Sequence, residues 1–492
     1  MEKILTDIIF LPLLAAVLLG LFRAPPPWLR AGAMVSAAVV LVLVLAVAVN
    51  FDPQGGMQYV RRLPWIANYG ITYHVGVDAL SLVLLLLIAV LMPLLYLFMW
   101  HEPRRGYWFN MMLLQTGVTG AVLSLDLILF YLFWETMLLP VFILIGRYGS
   151  GTRQRNAMKI VLMTILGSMS MLLSILYLGY AYYAATGMRS FSLGDLAALP
   201  FDPLTSVWLA AGFLLAFAIK LPLVGFHTWM APAYGSAPTP AVVVLSAVMA
   251  KLGAYGIWRF GYGLFGSTLH VYAPYITALA LLGLLFFAVR AIMESDLKRM
   301  FAFSSGSHLS LIALGIFVTN IYGWGGSLYL IATHALASAG IFLMIGLLYK
   351  RVGTVSIGEL GGLAQQAPKL TFFFVFFALC IAGLPGTGGF VGELLIVIGA
   401  FKADPLVGVF AATTMLAAML YIFWMLQRTL FGAPGASGGT CPDLDARELA
   451  ILIPLAVLLL VSGLAPSLFT PTFGTQLADM LASPGNGLGG VW

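Results

Sequence analysis

GLPGTGGFVGELL, from Gly383 to Leu395, cuts into an apolar run that otherwise has the length of a membrane helix. Pro385 and the glycines around it break the helix, and Glu393 then sets a carboxylate in the hydrophobic continuation. A bilayer tolerates unwound backbone only where protein buries it or where it lines a hydrated cavity. The stretch therefore implies a bundle in which a broken helix serves an acid at membrane depth.

The rest of the chain supplies that bundle. Of 492 residues, 61% are hydrophobic and 9% charged, and the mean hydropathy is +1.02. Soluble domains carry roughly 25% charged residues, so a polytopic membrane protein is indicated and a soluble enzyme is excluded. Cys380 and Cys441 form no CxxC or Cys/His cluster, which removes iron–sulfur, haem and zinc frameworks. The net charge of +6 falls in short loops and needs no nucleic-acid partner. The first apolar run, near residues 4–22, lacks a basic leader region and a small-residue cleavage site, so it reads as a retained span.

Runs of about 20 apolar residues give an all-α membrane protein of about 14 spans, the last near 448–469. Apolar sequence continues through the runs at 205–258 and 370–427, which makes them hard to divide. Lys and Arg in alternate loops divide sixteen to six. The richer side holds Arg23, Arg104, Lys298 and Lys350 among others; the poorer side holds Lys3, Arg61, Arg62, Arg189, Arg259 and Lys402. The positive-inside rule then places both termini on the non-cytoplasmic side.

Two of the 24 basic residues, Lys220 and Lys251, fit neither group because they fall inside apolar spans. Glu135, His308, His334 and Glu393 do the same. An ionised group at a helix centre costs roughly 2.5–3.5 kcal/mol by insertion scales. A single Glu–Lys pair is compatible with a structural clasp, and a lone histidine beside small residues with an interhelical hydrogen bond. Asp78, at the start of a span, reads as an interfacial cap. Strung together across a bundle, the six groups mark a proton or ion relay.

Their spacing adds to this. Glu135 and His308 are 173 residues apart, and so are Lys220 and Glu393. Both members of the second pair lie beside Pro/Gly-interrupted segments, which is the sequence pointer to a repeat-built transporter. Five spans per repeat, spans 4–8 and 9–13, force the two copies into opposite orientations, each with one broken helix. The expected division is residues 1–106, 107–260, 261–430 and 431–492: a three-helix segment, two inverted repeats, then a loop, last helix and tail. A carboxylate beside a buried ammonium favours the charged form of both, and separating them favours passing the proton to another acceptor. Moving a proton against 100 mV takes about 2.3 kcal/mol, the scale of one such rearrangement.

At this point the residues carry a resemblance. GVDALS at 76–81, LFWETMLLPVFILIGRYG at 132–149, FAIKLPLVGFHTW at 217–229, AKLGAYGIWRF at 250–260, DLKRMFAFSSGSHLSLIALGIF at 296–317 and GLPGTGGFVGELL are similar to the antiporter-like membrane subunits of respiratory complex I. That superfamily also includes the multisubunit cation/proton antiporters. Glu393, where L- and N-type relatives usually carry lysine, resembles the M type, which corresponds to mitochondrial subunit 4 and to the D-type protein of cyanobacterial and plastid complexes.

The resemblance implies a relay of Glu135, Lys220, Lys251, His308, His334 and Glu393, coupled to quinone reduction elsewhere. It implies no cofactor in this chain, with NADH, FMN, iron–sulfur clusters and quinone on partner subunits. The partners implied are L-, N- and K-like membrane-arm subunits and membrane lipid. One departure stands out: HTWMAPAYGSAPT at 227–239 places Pro232, Tyr234 and Ser236 where the family commonly has Asp, His and Glu. A Na⁺(K⁺)/proton antiporter subunit, a complex with another electron donor, and a spacer that has lost pumping are the alternatives.

Overall fold

The computed structural model describes residues 3–22, 25–432 and 441–482. Arg23, counted above among the loop cations, lies outside them, as do 433–440 and 483–492 of the expected C-terminal segment. Among the described residues, eleven helices are long and apolar enough to cross a membrane. The chain is an all-α membrane protein, with one hairpin among the described residues. The expected fourteen crossings further require Arg105–Leu123 to cross, the 55-residue stretch Thr239–Met293 to cross twice, and the interrupted pair Pro368–Ile381 and Gly388–Ala403 to cross once.

Two helices form the centre. Leu297–Phe317 is buried along its whole apolar window and Ile321–Val352 along 89% of its own; these carry His308 and His334. They pack against one another and against Gly388–Ala403, which carries Glu393. Ile4–Leu21 and Pro26–Val49 are only about one-third buried and expose Leu14, Leu18, Val35 and Val42. In a bilayer, that outward apolar surface meets lipid or a neighbouring subunit at no cost.

The sequence pattern reads 51–76 as a loop, whereas Gln58–Ile66 and Ile71–Val77 pair as an antiparallel hairpin. The turn runs through Gly70 at φ +73°, where a side chain would also collide with the backbone of Arg189. His74 packs inside the hairpin's contact with Ser192, its Nδ1 3.2 Å from the hydroxyl. Burial, then the nearby Arg62 charge, pulls its pKa from 6.5 to about 4, with Asp195 opposing. The folded state thus resists a proton that the unfolded chain accepts, and stability falls as pH drops from about 6.5 towards 4. Protection of residues 71–77 against hydrogen exchange, corrected for the intrinsic rate at each pH, is expected to fall over that window, and His74→Asn to flatten the dependence.

Arg259 needs correction. The loop count places it between spans, but it is buried in a wide helical turn, Ile257–Tyr262, and pairs with Asp78 at 2.5 Å. Asp78 is the expected cap, with a reciprocal capping box to Ser81. It also accepts from Gln476, so the helix Pro471–Ala482 is pinned onto the start of Ala79–Phe98.

Candidate functional site

Both expected helix breaks are present. Pro203–Lys220 stops at Lys220, turns through Gly225 at φ +90°, and resumes as Met230–Ser236. Pro368–Ile381 stops likewise, turns through Gly383 and Gly386 at φ +77° and +90°, and resumes as Gly388–Ala403. A Cβ at Gly383 would lie 2.6 Å from Glu393 Oε2. Its left-handed backbone favours glycine there, and a side chain would also push the Glu393 carboxylate from its place against the break.

The helix of Lys251 departs from regular geometry in a way that no sequence signal announces. Ala250–Gly256 is flanked by two π turns, Leu245–Met249 and Ile257–Tyr262. Such wide turns cluster at functional sites because they unsettle the backbone ladder. The Ser246 carbonyl here accepts from Lys251 Nζ, five residues on, at 2.5 Å.

From Lys251 a row of buried groups leads to Glu393. Lys251 Nζ stands 3.0 Å from His334 Nδ1. The His334 and His308 rings stack with centroids 5.0 Å apart and planes 22° apart. His308 Nε2 stands 3.2 Å from Glu393 Oε1, although not in line for a directed hydrogen bond. All four residues are at most 3% exposed.

The network fixes where protons sit. His308 Nδ1 is 2.9 Å from the Ser304 carbonyl, an acceptor, so Nδ1 carries hydrogen. A neutral His308 would then face the Glu393 carboxylate with a bare nitrogen. The contact is favourable only when one proton lies between them, either on Nε2 or on the carboxyl. His334 is arranged the other way. Its Nδ1 accepts from the ammonium, which leaves Nε2–H to face the Ser305 hydroxyl at 3.4 Å.

The first-half residues are not joined to this row. Lys220 Nζ and Glu135 Oε1 have no hydrogen-bond partner among the described residues, and no ion pair within 4 Å joins them. Lys220 instead faces the Trp134 ring at 4.6 Å, a cation–π contact. Glu135 is half-buried. A cavity of about 10 Å³ separates Lys220 from Leu245, Met249 and Ala250 on the helix of Lys251, room for about one water.

Sequence reasoning missed the Ser304 carbonyl that fixes His308 and the Ser305 hydroxyl that faces His334. FSSGSH places Ser304 and Ser305 one helical turn before His308, and that spacing was the available signal. Tyr421, 2.7 Å from Ser304 through its hydroxyl, comes from a distant helix and had none. In the divergent loop, Ser236 accepts from Asn156 at 2.7 Å and Tyr234 is buried edge-on to Phe342. Those replacements form packing and a loop tether.

Residues 124–424 match the model of the family described as NADH:quinone oxidoreductase/Mrp antiporter, transmembrane. The chain is 34% identical to the NADH-quinone oxidoreductase subunit M of Rhodobacter capsulatus, over 98% of this chain and 97% of that one. It superposes on a chain of respiratory complex I from Thermus thermophilus with bound NADH at a TM-score of 0.89, with 30% identity and coverage of 98% and 100%. A chain of the Mrp complex from Dietzia sp. DQ12-45-1b shares the fold at a TM-score of 0.88 and 23% identity, covering 98% and 97%.

Proposed function

The chain belongs to the NADH:quinone oxidoreductase/Mrp antiporter transmembrane family, and on that premise we propose that it is a proton-translocating, antiporter-like subunit of a complex I-type NADH:quinone oxidoreductase. The observation that carries the reading is the row Lys251–His334–His308–Glu393, with successive separations of 3.0, 5.0 and 3.2 Å. Two positive rings at the histidine spacing repel each other. A proton passed from Lys251 to His334 therefore favours release from His308 towards Glu393. Lys220 and Glu135 form the first half, and the small cavity that Lys220 shares with Met249 and Ala250, the residues just before Lys251, is the route by which it recharges Lys251.

In this reading the chain spans the membrane fourteen times with both termini non-cytoplasmic. Its segments are 1–106, 107–260, 261–430 and 431–492, the middle two being inverted five-helix repeats. L-, N- and K-like subunits adjoin it. NADH, FMN, iron–sulfur clusters and quinone belong to other subunits, so oxidation and reduction take place outside this chain. A cation/proton antiporter role rests on shared fold alone.

Proton uptake driven by NADH in membrane vesicles tests the first half. Glu135→Ala is expected to lower pumping and electron transfer together in a complex that still assembles on a native gel. Unchanged pumping and turnover would make Glu135 a structural residue and remove the first half from the mechanism.

A further inference from the structure

A cavity of about 430 Å³, lined by none of the six relay residues, opens where three spans end. Ala79–Phe98 finishes at it, Leu297–Phe317 begins at it, and Ile321–Val352 closes just past it. Helix ends with tyrosines around them sit at the level of the lipid headgroups. Tyr148 and Tyr349 line this mouth.

Its lining is rich in donors and poor in acceptors. Glu102 is the one carboxylate among the described lining residues, and Arg104 holds it through two contacts of 2.6 and 2.7 Å. Burial alone would push the Glu102 carboxyl up, but the Arg104 hydrogen bonds and charge, with Lys350 beyond, hold it below the usual range. It is thus charged and already taken. Lys298 Nζ donates to the Ala237 carbonyl at 3.1 Å, which uses one of its three hydrogens. Lys350 Nζ stands over the Phe98 ring at 4.0 Å. Neither lysine makes an ion pair within 4 Å among the described residues. The Tyr107 hydroxyl, on a residue only 2% exposed, has no hydrogen-bond partner there either.

We propose that this cavity binds a phosphate group through Lys298, Lys350 and Tyr107. Two ammonium groups and a phenol from three separate elements surround a space large enough for a headgroup. A tetrahedral oxyanion supplies the acceptors they lack. Basic pockets between span ends are the usual seat of anionic lipid headgroups, and a soluble phosphate offers the same atoms.

The test uses the whole assembled complex, stripped of lipid in detergent and weighed by native mass spectrometry after adding one probe at a time. The probes are phosphatidylglycerol, phosphatidylcholine and inorganic phosphate. Phosphatidylglycerol is expected to be retained over phosphatidylcholine, about tenfold less by Lys298→Gln and severalfold less by Tyr107→Phe, which keeps the shape of the site. Retention of phosphatidylglycerol alone identifies a lipid headgroup. Inorganic phosphate bound with the same sensitivity to both substitutions identifies a soluble source. Binding of neither anion above phosphatidylcholine, or binding unchanged in both variants, overturns the proposal.

Discussion

Lys251→Met is expected to cut NADH-driven proton pumping by at least about tenfold while the complex still assembles. Methionine matches the length of the lysine stem and fills irregular space well, so packing around a fully buried position is kept. What is lost is the group that touches both the Ser246 carbonyl and His334 Nδ1. Leaving those acceptors without a donor costs about 1–3 kcal/mol, which the loss of a buried charge partly offsets. Pumping falls because His334 no longer has a proton donor, and electron transfer is expected to slow with it. Acidification-quenched dye in vesicles reads the first effect, NADH oxidation the second, and a native gel the assembly.

The second large effect is on stability. Asp78→Asn is expected to destabilise the chain by about 3–5 kcal/mol, because it takes away the carboxylate that Arg259 pairs with in the interior. Asparagine caps helices as well as aspartate does, so the capping box to Ser81 is not the cause. The same substitution loosens the contact with Gln476 that holds Pro471–Ala482 in place. Thermal unfolding in detergent and the yield of assembled complex are the measurements. Replacing both charges, as Asp78→Leu with Arg259→Met, is expected to recover much of the loss, since a well-packed apolar pair avoids burying ions at all.

Much of this is legible in the sequence, for reasons that differ by residue. Spans show through composition, and Glu393 and Lys220 show because a charge in an apolar run has no cheap explanation. The two breaks show because proline and positive-φ glycine leave local signatures. Arg259 is misplaced by local reading because its partner, Asp78, lies 181 residues away in the chain, and no local pattern links them. The π turns around Lys251 are invisible for a related reason: Leu245–Met249 and Ile257–Tyr262 read LSAVM and IWRFGY, and neither composition distinguishes a wide turn from an ordinary helical one. Adjacency is the hardest to read. Nothing in the chain tells that Lys251 meets His334 directly while Glu135 and Lys220 make no hydrogen bond or ion pair within 4 Å among the described residues.

The broken stretch Gly383–Leu395 has its explanation in these contacts. The break at 382–387 gives Glu393 a glycine to fold against, and the helix that follows carries the acid to His308. Glu393 is thereby the end of a row of buried groups that starts at Lys251.

Lys251→Arg tests that row most directly, because arginine keeps the positive charge but cannot release its proton. The quantity to measure is protons translocated per electron pair in vesicles, with assembly confirmed by native gel. If release of a proton from position 251 is a step of translocation, the ratio or the turnover collapses to the level of Lys251→Met. If the arginine variant pumps at the wild-type ratio and rate, a fixed charge suffices at that position, and proton passage from Lys251 to His334 is contradicted.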